Sequence, residues 1–162
     1  MLASMDIPGF GLARRTKIAG GLFLGVLAVS LLLYFLVGNA KVTRVLFYPH
    51  QGSKELVSES RDLPAHHDLE EDIRALVEEE ILGPVSHDAA LLFPRDVEVQ
   101  SILVRGRTLF IDFSGQLALA GDRLNLRGAE AISALRRAIT FNFPRIAELT
   151  VTIEGQVPRF GP

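Results

Sequence analysis

The chain has 162 residues, 48% of them hydrophobic, and a mean hydropathy of +0.27, high for a water-soluble protein. With 17 basic against 19 acidic residues and a net charge of −2, it lacks the positive excess that broad binding to nucleic acid requires. It contains no cysteine, which excludes disulfides, thiolate metal sites, cysteine nucleophiles and an acylated lipoprotein cysteine.

Residues 1–17 carry Pro8, Gly9 and Gly11 and too few apolar side chains for a core, so they read as a flexible cytoplasmic stub. From Ile18 to Val37 the chain holds no charge. A helix of that length matches the ~30 Å hydrocarbon core of a bilayer, so residues 18–37 are expected to form a single-pass transmembrane helix with the lipid bilayer as partner. Arg14, Arg15 and Lys17 crowd its N-terminal flank and Lys41 and Arg44 follow it. The positive-inside rule then leaves the N-terminus in the cytoplasm and the remainder outside the cytoplasmic membrane. A cleaved signal peptide is the competing reading, because Gly38-Asn39-Ala40 offers small residues where a signal peptidase cuts. The apolar run exceeds the ~7–15 residues of a signal core, which favours an anchor. A pilin-like leader, prompted by Gly9-Phe10, fails because Arg14 stands where such leaders are acidic and the apolar run starts too late.

The rest of the chain is mildly acidic and long enough for one domain, expected over residues 41–156 with a loose tail at 157–162. Val42 to Tyr48 is rich in β-branched and aromatic residues, ends at Pro49, and is apolar on both faces, as a strand near the middle of a sheet would be. The composition then turns polar as far as His67 and leaves room for only a short edge strand at Glu55 to Val57. Asp68, with Glu71 three residues on, caps a helix whose Leu69, Ile73, Leu76, Val77 and Ile81 form one apolar stripe. Its other face, with Glu70, Glu71, Asp72, Glu78 and Glu79, reads as solvated, and Gly83-Pro84 ends the helix.

Alternation from Val97 to Val104 and from Thr108 to Phe113, on either side of Arg105-Gly106-Arg107, predicts a β-hairpin. A linker from Gly115 to Asn125 leads to a second helix from about Leu126 to Asn142, with Ile132, Leu135, Ile139 and Phe143 as its stripe and Pro144 as its stop. A last strand, Glu148 to Glu154, points Leu149, Val151 and Ile153 inward. The expected fold class is α+β, a transmembrane helix followed by one small β-α-β-β-α-β domain with both helices on one face of a mixed sheet.

Chemistry-bearing groups are sparse. His66, His67 and Asp68 are adjacent in a loop, where side chains diverge, and no distant histidine joins them from a regular element. Ser114 lacks the G-x-S-x-G elbow, and Gly115 and Gly121 fit no phosphate-cradling spacing. Arg136 and Arg137 read as exposed charge, with an anion clamp beside Arg105 and Arg107 as the alternative. Asp112, Asp122 and Glu154 are carboxylates that folding can bring together without any sequence spacing to show it.

Six stretches carry a family resemblance through their order and spacing. LFYP at Leu46 to Pro49, ILGP at Ile81 to Pro84, LLFP at Leu91 to Pro94, IDFS at Ile111 to Ser114, ITFNFP at Ile139 to Pro144 and IEGQ at Ile153 to Gln156 resemble the GerMN domain. That domain is named for the bacterial sporulation and germination protein M, and the resemblance covers essentially all of Val42 to Gln156. It marks Gly83, Pro84, Pro94, Asp112, Ser114, Pro144 and Gly155 as signature positions with structural roles. Gly83-Pro84 would end the first helix, and Asp112 and Ser114 would turn the chain off the hairpin by side-chain to backbone bonds. The chain departs from many relatives in lacking a lipid-bearing cysteine and in holding one copy of the domain. The resemblance implies a non-enzymatic, extracytoplasmic module of the bacterial envelope, without cofactor, linked to sporulation or to the cell envelope. Envelope proteins or a second copy of the chain are its implied partners; a cell-wall or carbohydrate ligand is the first alternative, and an enzyme acting on the envelope the second.

Overall fold

In the computed structural model the described residues are 12–36, 40–53, 55–120 and 126–158, with side chains in the N-terminal helix described at 17–32 and 34. The chain divides into two compact units, Met1–Asn39 and Ala40–Pro162.

The first unit contains helix α1, Leu12–Leu36. It begins inside the segment expected to be an unstructured stub, and residues 1–11 lie outside the described part. Ile18, Leu22, Phe23, Val26, Val29 and Tyr34 are among its exposed side chains, so apolar groups face outward around the helix. The expected transmembrane helix at 18–37 is corrected here. Among the described residues no helix is long and apolar enough to cross a membrane. Arg14, Arg15 and Lys17 take up the first turns of α1, so the helix opens on charged residues rather than on the apolar run.

The second unit is α+β, with β1 (Lys41–Pro49), β2 (Leu56–Pro64), α2 (Leu69–Leu82), β3 (Val99–Arg105), β4 (Thr108–Phe113), a short 3₁₀ turn at Gly115–Leu117, α3 (Gly128–Asn142) and β5 (Glu148–Ile153). Two sheets replace the single mixed sheet expected from the sequence. β1 and β2 form an antiparallel pair, and β3, β4 and β5 form a second sheet in that order, antiparallel then parallel. β4 and β5 run parallel because α3 carries the chain back between them.

The core follows from alternation on the three-stranded sheet. Leu109, Ile111 and Phe113 of β4 and Leu149, Val151 and Ile153 of β5 point inward and are buried, and Leu109↔Leu149 and Ile111↔Val151 are register partners. Ile73, Leu76 and Val77 of α2 and Leu135, Ala138 and Ile139 of α3 complete it. Asp68 caps α2 by accepting the Glu70 amide at 3.2 Å.

β1 is not central to a sheet. Its other neighbours are side chains: the Asn142 amide accepts the Val45 N–H at 2.9 Å and donates to the Val45 carbonyl, and Glu80 Oε1 accepts the Phe47 N–H at 3.0 Å. Helix side chains thus stand in for the missing strand and satisfy a buried edge. Both faces of β1 are apolar because helices cover them, with Tyr48 bonded to α2 through the Glu79 carbonyl and Phe47 stacked edge-on with Phe141 of α3.

Candidate functional site

Five of the seven signature positions fall into two places. Asp112, Ser114 and Gly155 come together where the three-stranded sheet ends. Asp112 Oδ1 accepts the Thr152 hydroxyl at 2.6 Å and the Gly155 N–H at 2.9 Å, so it ties β4 to the turn after β5. That turn has left-handed backbone at Glu154 (φ +50°) and Gly155 (φ +74°), closed by the Ile153 N–H on the Gln156 carbonyl at 2.8 Å and the return bond at 3.0 Å. Ser114 Oγ accepts the Glu98 N–H at 2.9 Å, and the Ser114 N–H donates to the Glu98 carbonyl at the same distance. A hydroxyl buried in that role is not placed as a nucleophile. Pro94 is buried, and its carbonyl accepts the Val97 N–H. Pro144 follows Phe143, whose N–H caps the end of α3 on Ile139.

Asp112→Ala is expected to lower stability by about 1–2 kcal/mol, the loss of two bonds to a carboxylate that stays partly solvated. Urea denaturation measures it, and Thr152→Val should by itself reproduce part of the same loss and add little to it when combined with Asp112→Ala.

Gly83 and Pro84 belong to a different cluster, at the end of α2. Arg61 on β2 donates to Glu79 Oε1 at 2.6 Å, to Glu59 Oε2 at 2.8 Å and to the Gly83 carbonyl at 2.8 Å. Its guanidinium also lies over the Tyr48 ring, 5.6 Å from the centroid. Glu59 in turn accepts the N–H groups of Val85 at 3.1 Å and Ser86 at 2.9 Å. Burial works to raise the Glu59 carboxyl, but the Arg61 bond and those two amides outweigh it and hold the group below the ordinary carboxylate range. Beneath them Glu80 is 0% exposed; one oxygen takes the Phe47 amide and the other has no partner. Burial pushes the Glu80 carboxyl up to about 8. Burial, and then the Glu80 charge, push the Tyr48 hydroxyl up as well.

Sequence reasoning did not single out Arg61 or Glu80. A signal for Glu80 was present, since it sits at i+4 from Leu76 and i+7 from Ile73, on the apolar stripe of α2. The expected solvated face of α2 is also more engaged than its composition suggests. Glu70 accepts the Val104 N–H, Asp72 pairs with Arg44 at 3.0 Å and accepts the His66 N–H, and Glu79 holds Arg61.

The remaining candidates disperse. His66 stands beside Asp72, His50 bridges to Ala89, and His67 and His87 are exposed. Among the described residues no group of three or more potential ligands could hold a metal ion. Glu154 turns toward Gly115, while Gly121 and Asp122 lie outside the described residues. Arg136 donates to the Leu149 carbonyl at 3.4 Å, and Arg137 lies over the Phe47 ring at 4.9 Å, so each is engaged within the fold.

What the surface does offer lies along α3. A groove of about 470 Å³ is lined by Leu56, Leu126, Ala129, Ser133, Ala134 and Arg137, with Glu130 beside them. One turn beyond Arg137, Phe141 is 60% exposed although its ring meets Phe47 edge-on, with centroids 5.8 Å apart. None of the groove-lining residues is aromatic, so the groove lacks the ring faces on which a sugar stacks.

A family model described as "Sporulation and spore germination", named Germane, matches residues 33–158. The fold is similar to the first GerMN domain of the sporulation protein GerM from Bacillus subtilis, with a TM-score of 0.59 and 19% identity over 74% of this chain and 91% of that one. It is similar too to the tandem GerMN domains of the same protein, with a TM-score of 0.55 and 17% identity over 75% of this chain. The chain spans 41% of that tandem structure. No curated protein sequence matches it.

Proposed function

We propose that this chain, which belongs to the Germane family of sporulation and spore germination proteins, acts as a non-enzymatic interaction module that docks other proteins of the bacterial envelope. The observation that carries this reading is the division of labour among side chains. Asp112, Ser114, Glu59, Arg61 and Glu79 are all spent on internal bonds, whereas α3 presents an exposed aromatic ring beside an apolar groove. Buried bonds hold a scaffold in one shape, and an exposed ring over apolar surface is the usual anchor of a protein contact. An extracytoplasmic location forms part of the proposal, supported by the GerMN-like fold and by the absence of cysteine, which suits an oxidising compartment.

The test uses the full-length chain cross-linked in sporulating cells of its own host. The expected result is a protein complex whose yield falls about tenfold in Phe141→Glu, because anchor residues at interface centres contribute over 1 kcal/mol each. Circular dichroism and thermal unfolding should leave that variant folded. Saturable binding of the wild-type chain to purified peptidoglycan, lost in Arg137→Ala, would replace the docking reading by a ligand-binding one. Release of soluble fragments from that peptidoglycan, abolished by a single carboxylate substitution, would overturn the non-enzymatic reading.

A further inference from the structure

β2 is a nine-residue strand with a neighbour on one side. Val45 and Phe47 turn their amides away from β2, toward Asn142 and Glu80. The ladder between the strands is therefore built by Arg44, Leu46 and Tyr48 with their partners Arg61, Glu59 and Val57. The alternate residues of β2, Ser58, Ser60 and Asp62, must point their N–H and C=O groups outward. Among the described residues no strand meets that edge, and all three side chains are exposed. Open edges of this length are templates for another strand.

The sequence of the edge identifies the strand that fits it. Turned antiparallel on itself about Ser60, LVSESRDLP is self-complementary. Glu59 falls opposite the partner's Arg61, Ser58 opposite the partner's Asp62, and Val57 opposite the partner's Leu63. Centring on Glu59, Arg61 or Asp62 instead would set like charges against each other, and centring on Ser58 would set Glu59 opposite the partner's Val57 and Ser60 opposite the partner's Leu56, so charge and apolar matching together favour the Ser60 register. A second feature lies beside the same edge. The loop after α2 is fastened to β2 through Arg61 and Glu59, and Leu82 at the end of α2 and Val85 in that loop are 60% and 79% exposed. Apolar side chains next to an open, self-complementary edge are what an isologous contact would cover.

We propose that two copies of this chain join by antiparallel pairing of their β2 edges about a twofold axis at Ser60. The inference rests on the reading of the chain as an interaction module and names a second copy as one of its partners. Glu59 and Arg61, paired within each copy at 2.8 Å, keep their internal bonds and lie opposite the partner's Arg61 and the partner's Glu59, and Ser60 exchanges backbone hydrogen bonds with the partner's Ser60.

Because the chain has no cysteine, single substitutions report the register directly. Hydrogen-bonded antiparallel partners stand ~5.5 Å apart at Cα, within the ~4.4–6.8 Å that a disulfide spans. In cells expressing the full-length chain, Ser60→Cys should give a disulfide-linked dimer on oxidation. Ser58→Cys alone and Ser101→Cys, exposed on β3, should stay mostly monomeric, and Ser58→Cys combined with Asp62→Cys should link again. Ser60→Pro removes an outward N–H that β1 does not use, so the fold should persist while sedimentation of the purified full-length chain shifts from dimer to monomer. Linking of Ser60→Cys no better than that of Ser101→Cys, or a dimer unchanged by Ser60→Pro, overturns the β2 pairing. In that event a complex still dependent on Phe141 leaves the docking function standing, whereas loss of both removes the function as well.

Discussion

Raising the pH from 5 to 9 is expected to destabilise the Ala40–Pro162 unit by on the order of 4 kcal/mol through Glu80 alone, and Glu80→Gln is expected to abolish that slope. In the unfolded chain the Glu80 carboxyl titrates near 4.5, whereas burial in the fold pushes it up to about 8. Between those values the folded state holds a proton that the unfolded state has released. Each unit of rising pH in this window therefore favours unfolding by about 1.4 kcal/mol, and the slope vanishes above about pH 8, where both states are ionised. The other shifted groups act outside the window. Glu59, held low by Arg61 and two amides, loses its stabilisation only as pH falls below the ordinary carboxylate range. Tyr48, raised above its ordinary value of 10.0, begins to act above that pH. Urea denaturation of wild type and Glu80→Gln at several pH values measures the difference, and parallel profiles would show that Glu80 is solvated in the folded chain. The physical cause is local: Oε1 is held by the Phe47 amide at 3.0 Å, Oε2 has no partner, and Arg61 directs its hydrogen bonds to Glu59, Glu79 and Gly83 instead. A proton on Glu80 costs less than a charge there.

Glu80 also shows where the sequence stops being readable. The elements that announced themselves did so through period: α2 by its stripe from Leu69 to Ile81, β4 by Leu109, Ile111 and Phe113, and β5 by Leu149, Val151 and Ile153. β2 gave no such signal. Its inward positions include Glu59 and Arg61, which are tolerable inside only because they pair with each other and with Glu79, a contact 18 residues away along the chain. Alternation of hydrophobicity cannot reveal a strand whose inward face is partly ionic. The single sheet failed for a related reason. Two apolar faces on β1 suggested flanking strands, but Asn142 and Glu80 occupy the edge and helices cover both faces, an arrangement that hydropathy does not distinguish from a central strand. In the N-terminal helix the lack of charge from Ile18 onward dominated the reading, although the helix begins earlier and spends its first turns on basic residues. The signature residues were legible through the family resemblance alone. Asp112 reaches Thr152 and Gly155, about forty positions on, and nothing in local spacing points to that bond.

Gly83→Ala is expected to cost roughly 3 kcal/mol or more, and the cost has two separable sources. Gly83 has φ +92° and ψ 177°, a region essentially closed to residues with a Cβ. A Cβ at this position would also run into Leu91 Cδ2. The conformation cannot relax freely, because both ends of the peptide are held: the Gly83 N–H donates to the Glu79 carbonyl at 3.3 Å, and its carbonyl accepts from Arg61 at 2.8 Å. Turning the residue to negative φ would release Arg61 and leave Glu59 and Glu79 with a displaced partner, which couples one backbone angle to the whole cluster at the end of α2. Combining Gly83→Ala with Leu91→Ala removes the steric part and keeps the conformational part. The double variant should therefore be more stable than the sum of the two single losses predicts, with an interaction term of about 1 kcal/mol or more in a double-mutant cycle. Strict additivity would mean that Leu91 moves aside without cost and that backbone conformation alone requires glycine. A Gly83→Ala variant as stable as wild type would show that the end of α2 can turn without the left-handed residue, and that Arg61 is not fixed by the Gly83 carbonyl.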